Sequence, residues 1–273
     1  MNEKEAERAH YERRGAAVIL RITRPERRNA VDGPTAEALC EAFRRFVADD
    51  GARVLILTGD ESAFCAGADL KAIHTLRDRD EGPLGFSRLH SPKPTIAAVN
   101  GYCVAGGLEL ALWCDVRVVG ESATFGCFER RWGVPLLDGG TQRLPRVVGL
   151  GRALEMILLG RAVAAREALQ FGLANIVVPD DRVLPTALEW AELIASFPQP
   201  TMLADREAAI RGFGLPLEDG LALERRLGWV TAGVGVEGAA RFASGAGRGG
   251  AGVPGTGSQK AKGKRQKSGT RGR

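Results

Sequence analysis

The chain has 273 residues, 44% of them hydrophobic and 26% charged, enough for a sizeable core in one large α/β domain or a domain with a small appendage, and too apolar for a chain disordered throughout. Its formal charge of +5 is unevenly placed: residues 245–273 hold eight Lys and Arg and no Asp or Glu, which leaves 30 basic against 33 acidic residues, or −3, for the rest. The basic character belongs to the tail, so the body is excluded as a cationic nucleic-acid surface.

In chain order, the first 14 residues are charged throughout and contain no apolar core of a secretory leader. Residues 17–22 form a β-rich run, followed by a turn at Arg24-Pro25-Glu26 and a helical pattern over residues 35–47, with Leu39, Phe43 and Phe46 on one face. The continuous apolar run at 54–58 has the pattern of a strand buried on both faces. Residues 74–92 are mostly polar with Gly82-Pro83 inside, and are expected to be a mobile surface segment. Strands follow at 95–99 and 116–119. Beyond Gly139 the pattern is helical at 154–159, 164–171, 183–196, 201–211 and 221–230, with one short strand at 176–178. Strands alternating with helices imply a mixed or parallel sheet with crossover connections. The tail from Gly245 to Arg273 is rich in Gly, Lys, Arg and Ser and has no aromatic residue, so it is expected to be disordered. Contact with nucleic acid is expected, if at all, only through it.

The longest apolar stretch, 95–119, is broken by Asn100, Glu109 and Asp115 and cannot be a membrane span. Five cysteines (Cys40, Cys65, Cys103, Cys114, Cys127) without CxxC spacing argue against a disulfide framework or a zinc site. His10, His74 and His90 stand alone, so no metal is assigned. A cytoplasmic chain is expected.

Chemistry is carried by three segments: Phe64-Cys65-Ala66-Gly67-Ala68-Asp69, Gly106-Gly107-Leu108-Glu109-Leu110 and Phe125-Gly126-Cys127-Phe128-Glu129. Paired carboxylates share acid and base roles, and backbone N–H groups at glycine turns hold a developing oxyanion. Taken singly, each segment has a plainer reading. The Gly106-Gly107 turn lacks the P-loop Gly-Lys-Ser/Thr and serves helix–strand packing equally well, Glu109 suits the first turn of a helix, and Glu129 beside Arg130 and Arg131 suits a surface ion pair.

Together with Arg24-Pro25-Glu26-Arg27-Arg28-Asn29-Ala30, Lys93-Pro94-Thr95-Ile96-Ala97-Ala98-Val99-Asn100-Gly101-Tyr102 and Gly139-Gly140-Thr141-Gln142-Arg143-Leu144-Pro145, these segments resemble the crotonase superfamily, and within it the enoyl-CoA hydratases, over about residues 15–243. The resemblance implies an α/β fold: a spiral of ββα units over 15–200 and a helical trimerisation part over 201–244, with the tail 245–273 outside it. It implies homotrimers or hexamers acting on acyl-CoA without metal or cofactor. By the same resemblance Glu109 and Glu129 are catalytic and Ala68 and Gly106 supply the oxyanion hole. Ala66, Asp69, Leu70 and Lys71 border CoA, and Trp132, Leu136 and Leu137 border the acyl group. The alternatives are an enoyl-CoA isomerase or another acyl-CoA reaction, and a non-catalytic acyl-CoA or RNA-binding trimer. The chain departs from many hydratases in carrying Leu136-Leu137-Asp138 before Gly139-Gly140 and Cys127 before Phe128. Related isomerases and dehalogenases carry an aspartate at the position of Leu137, so Asp138 is expected to be a turn or helix-cap residue.

Overall fold

A computed structural model describes residues 8–246. Apart from Gly245 and Ala246, the basic tail lies outside the described residues. Ten strands are present among them: β1 (Ala9–Arg14), β2 (Ala17–Ile22), β3 (Val54–Thr58), β4 (Ala63–Cys65), β5 (Thr95–Val99), β6 (Tyr102–Val104), β7 (Val116–Gly120), β8 (Thr124–Gly126), β9 (Val163–Ala164) and β10 (Ile176–Val178). The helices are α1 (Gly33–Ala48), α2 (Gly106–Trp113), α3 (Gly140–Val148), α4 (Leu150–Leu159), α5 (Ala165–Gln170), α6 (Val183–Ser196), α7 (Gln199–Gly212), α8 (Leu217–Val230) and α9 (Ala232–Ala243).

Two sheets result, one of six strands in the order β1-β2-β3-β5-β7-β10 and one of four in the order β4-β6-β8-β9. Each successive pair (β3 and β4, β5 and β6, β7 and β8) gives its first strand to the larger sheet and its second to the smaller, which is the spiral the sequence implies. Except for the antiparallel pairs β1–β2 and β8–β9, the ladders are parallel, with Ile56 opposite Ile96, Ile96 opposite Val116 and Val118 opposite Ile176.

The larger sheet is buried on both faces, which is why its strands are continuous apolar runs. Val18, Leu20, Leu55, Leu57, Ala97 and Val99 face the main core, while Ile19, Val54, Ile56, Ile96, Ala98 and Val118 face a second core closed by α6. Helix α6 presents Val183, Ala187, Ala191 and Ala195, spaced four apart, so its small side chains meet the sheet closely.

Residues 74–92 are not the mobile surface segment expected. Leu84, Phe86 and Ser87 are fully buried, and Phe86 stacks on Phe43 at 5.5 Å and meets Trp113 edge-on at 4.7 Å. Left-handed backbone at Gly82 and Gly85 folds the chain inward there, and a Cβ on Gly85 would strike the carbonyl oxygen of Ala36. Strand β1 was also not foreseen. It is a half-buried edge whose polar residues mask the pattern, with Tyr11 under the Arg45 guanidinium at 4.0 Å.

All five cysteines are free and buried. Among the described residues, no helix is long and apolar enough to cross a membrane, and no group of three or more His, Cys, Asp or Glu is placed to hold a metal. Helices α7 and α8 pack on each other, and Arg206 anchors α7 to the body through two hydrogen bonds of 2.9 Å to Asp115 and one of 2.8 Å to the Ser91 carbonyl. Leu217, Trp229, Val230, Val236 and Phe242 stand exposed on α8 and α9.

Candidate active site

The site is built where strand β6 turns into α2. The turn passes through Ala105 at φ +54°, ψ −129°, a conformation that costs an L-residue on the order of 1–3 kcal/mol. Hydrogen bonds hold it there: the Ala105 N–H donates to Gly126 O at 2.8 Å, and its carbonyl accepts from Leu108 and Glu109. As the first helical residue, Gly106 has no intrahelical acceptor for its N–H.

The turn after β4 lies against this helix start. A Cβ on Gly67, at φ +89°, would sit 2.7 Å from the Gly106 nitrogen, and one on Gly107 would sit 1.9 Å from Cys65 O. Only glycine permits that approach. The turn is fastened to Val31, whose N–H donates to Gly67 O and whose carbonyl accepts from Asp69, both at 2.8 Å. Between those two bonds the Ala68 N–H has no protein acceptor among the described residues, and a Cβ on Gly106 would lie 3.6 Å from its nitrogen. Two unpaired N–H groups from two separate turns are thus neighbours.

Glu109 lies on the first turn of α2 and is buried. Its Oε1 accepts from the N–H groups of Asp138 at 2.9 Å and Gly140 at 2.7 Å. Burial pushes its pKa up to about 7; the two N–H groups act against that, while the charges of Asp138 and Glu129 add to it. Glu129 stands on a 3-10 turn, Phe128–Trp132, and is only 5% exposed. Among the described residues, neither of its carboxylate oxygens has a hydrogen-bond partner. Burial raises its pKa as well. It is not an ion-pair partner of its neighbours: Arg130 donates to Ile157 O, and Arg131 donates to Gly160 O and covers the Phe128 ring at 4.1 Å.

Both glutamates line one cavity of about 810 Å³, together with Ala66, Ala68, Leu70, Gly106, Trp132, Leu136, Leu137 and Asp138. Two of the expected CoA-bordering residues are placed differently. Asp69 is buried, paired to Arg24 at 3.0 Å, and caps the following 3-10 turn through the Lys71 N–H, while Lys71 itself is exposed and off the cavity wall. Asp138 does not cap α3, whose N-cap is Gly139; its carboxylate turns back to Leu84 and Ser87. The wall also contains Arg28, Ile73, Leu84 and Phe128, none singled out as site residues from sequence. Arg28 was within a matching segment, and its left-handed backbone (φ 49°) and its contact with Tyr102 at 4.7 Å are long-range consequences of folding.

A family model described as Enoyl-CoA hydratase/isomerase matches residues 12–235. The chain is 40% identical over 222 residues to a probable enoyl-CoA hydratase of Rhizobium meliloti, covering 79% of this chain and 86% of that one. It is 38% identical over 210 residues to the (E)-benzylidenesuccinyl-CoA hydratase of Thauera aromatica, covering 73% and 81%. Among solved structures, an enoyl-CoA hydratase from Mycobacterium marinum superposes with a TM-score of 0.82 at 33% identity, covering 87% of this chain and 96% of that one. One from Bacillus anthracis gives 0.80 at 34%, with the same coverage. The spiral with its C-terminal helices is the crotonase fold, and the chain belongs to the enoyl-CoA hydratase/isomerase family.

Proposed function

We propose that this protein is an enoyl-CoA hydratase, adding water across the double bond of trans-2-enoyl-CoA thioesters. The observation that carries the reading is Glu129, a buried carboxylate with no hydrogen-bond partner among the described residues, lining the same cavity as Glu109 and the paired turns of Ala68 and Gly106. The thioester oxygen accepts from the N–H groups of Ala68 and Gly106, whose fixed dipoles stabilise the enolate-like charge that grows on it. One such donor contributes about 3 kcal/mol to lowering a barrier. With Oε1 held by two N–H groups, Glu109 uses its other oxygen to hold the water and take its proton as oxygen bonds to C3. Glu129 in its protonated form holds the water from the other side and gives its proton to C2. A proton passing back from Glu109 to Glu129 resets the pair. Burial supports proton exchange within the pair, since it raises Glu109 to about 7 and holds Glu129 above the ordinary carboxylate value.

CoA runs past Ala66 and Leu70, with Asp69 bracing that turn through Arg24 and Lys71 at its outer edge. The acyl chain lies toward Leu136, Leu137 and Trp132. No metal or redox cofactor takes part. The exposed apolar residues of α8 and α9 support residues 201–244 as the assembly surface of a homotrimer or a hexamer, and the protein works in the cytoplasm.

Loss of the conjugated-thioester ultraviolet absorbance of crotonyl-CoA tests the activity. Glu129→Gln and Glu109→Gln should each lower kcat about a hundredfold or more. Full activity in Glu129→Gln would overturn the assignment of the proton donor. Isomerisation, which needs chiefly one carboxylate, would survive Glu109→Gln.

A further inference from the structure

We infer that Asp138 is a positioning residue that ties the Glu109 carboxylate to the loop covering Gly106; the inference rests on the role proposed above for Glu109. Asp138 is 4% exposed and makes bonds in two directions. Its backbone N–H donates to Glu109 Oε1 at 2.9 Å. Its Oδ1 accepts from the Leu84 N–H at 3.0 Å and from the Ser87 hydroxyl. Leu84 in turn sits over the candidate oxyanion turn, where a Cβ on Gly106 would come within 2.5 Å of Leu84 Cδ1. Arg143 closes the arrangement from α3, donating to Asp138 O at 2.8 Å and to Ser87 O at 2.7 Å. One residue therefore links the base to the cover of the oxyanion donors.

A turn alone does not require this side chain. Asp138 caps no helix, and a buried carboxylate is costly where an amide of the same shape would make the same bonds as acceptor. What the carboxylate adds is negative charge beside Glu109, which disfavours the ionised form of that group and keeps it a stronger base. The other charged or titratable groups facing Glu109 are Glu129 from its 3-10 turn, the Cys127 thiol just before that turn and Arg143 from α3. Those facing Asp138 are Arg88 from the loop, Arg143 and the Cys65 thiol of β4.

The test uses the full-length chain with its glutamate carboxyls labelled with carbon-13, the Glu109 signal being assigned by its loss in Glu109→Gln. In Asp138→Asn the Glu109 titration and the ionisation limb of kcat with crotonyl-CoA should move together to lower pH, with KM changed less than about twofold. Asp138→Ala, which also cuts the tie, should lower kcat by about ten- to a hundredfold. Ser87→Ala, losing half the tie, should lower it less, and Asp138→Asn should recover most of kcat at pH values above the limb. An unmoved Glu109 titration in Asp138→Asn, or a kcat in folded Asp138→Ala within about twofold of the unsubstituted protein, would overturn the inference. Should Asp138→Ala fail to fold, Asp138→Asn decides alone. If the unsubstituted protein hydrates no enoyl thioester, the proposed function falls, and the Glu109 titration, which needs no substrate, still decides Asp138.

Discussion

Glu109 carries a cost that its chemistry explains. A carboxyl whose pKa rises on folding, here to about 7, favours the folded state while it is protonated and loses that advantage as pH climbs through its folded value. Stability is therefore given up between the usual carboxylate range and pH 8, where the reaction wants the ionised group. A neutral isostere escapes the loss: Glu109→Gln should stabilise the protein by on the order of 3 kcal/mol at pH 8 and by much less at pH 5. Urea unfolding at the two pH values measures this, and equal differences at both would sink the account. The partner glutamate was legible by position only. That Glu129 is buried and lacks any ion pair depends on Arg130 and Arg131 turning toward Ile157 and Gly160, contacts from residues about 30 positions downstream that no local pattern encodes.

At the level of elements, the junction of the β4 turn with α2 sets the spacing of the two N–H groups, and Gly67 is where the turn meets the Gly106 nitrogen. A methyl group there meets the Gly106 nitrogen at 2.7 Å and Ala105 Cβ at 2.9 Å, on backbone already at φ +89°. Gly67→Ala is expected to lower kcat by about a hundredfold and stability by about 1–3 kcal/mol, read by crotonyl-CoA kinetics and denaturation together; unchanged kcat would show that these N–H groups are not the oxyanion donors. Elements with room for a full period were legible. Strand β3 and helix α1 have long apolar patterns, and the expected boundaries fall within a few residues of those found. Strands of two or three residues, such as β4, β6, β8 and β9, are too short to show alternation, so the second sheet stayed hidden. Leu84 and Phe86 were lost among polar neighbours because glycine turns, rather than a repeat, aim them inward.

On the scale of the whole molecule, the apolar side chains on α8 and α9 are more exposed than an isolated chain tolerates well: Trp229 is 79% and Val230 84% accessible. Replacing both by Asp should shift the mass measured by light scattering to that of a monomer while the circular dichroism of the body persists. An unchanged mass would overturn the proposed assembly surface. A different consequence follows from the ladders. Most pair in parallel between segments far apart in the chain, β2 with β3, β3 with β5 and β7 with β10, the last joining Val118 to Ile176. Loop closure on that scale must precede the reward of pairing, which makes folding slow. During synthesis the edge of β7 waits for β10, and the second core waits for α6 to emerge. Until then that face of the sheet exposes Ile56, Ile96 and Val118, a surface prone to association, so the nascent chain stays vulnerable until residues 183–196 have left the ribosome.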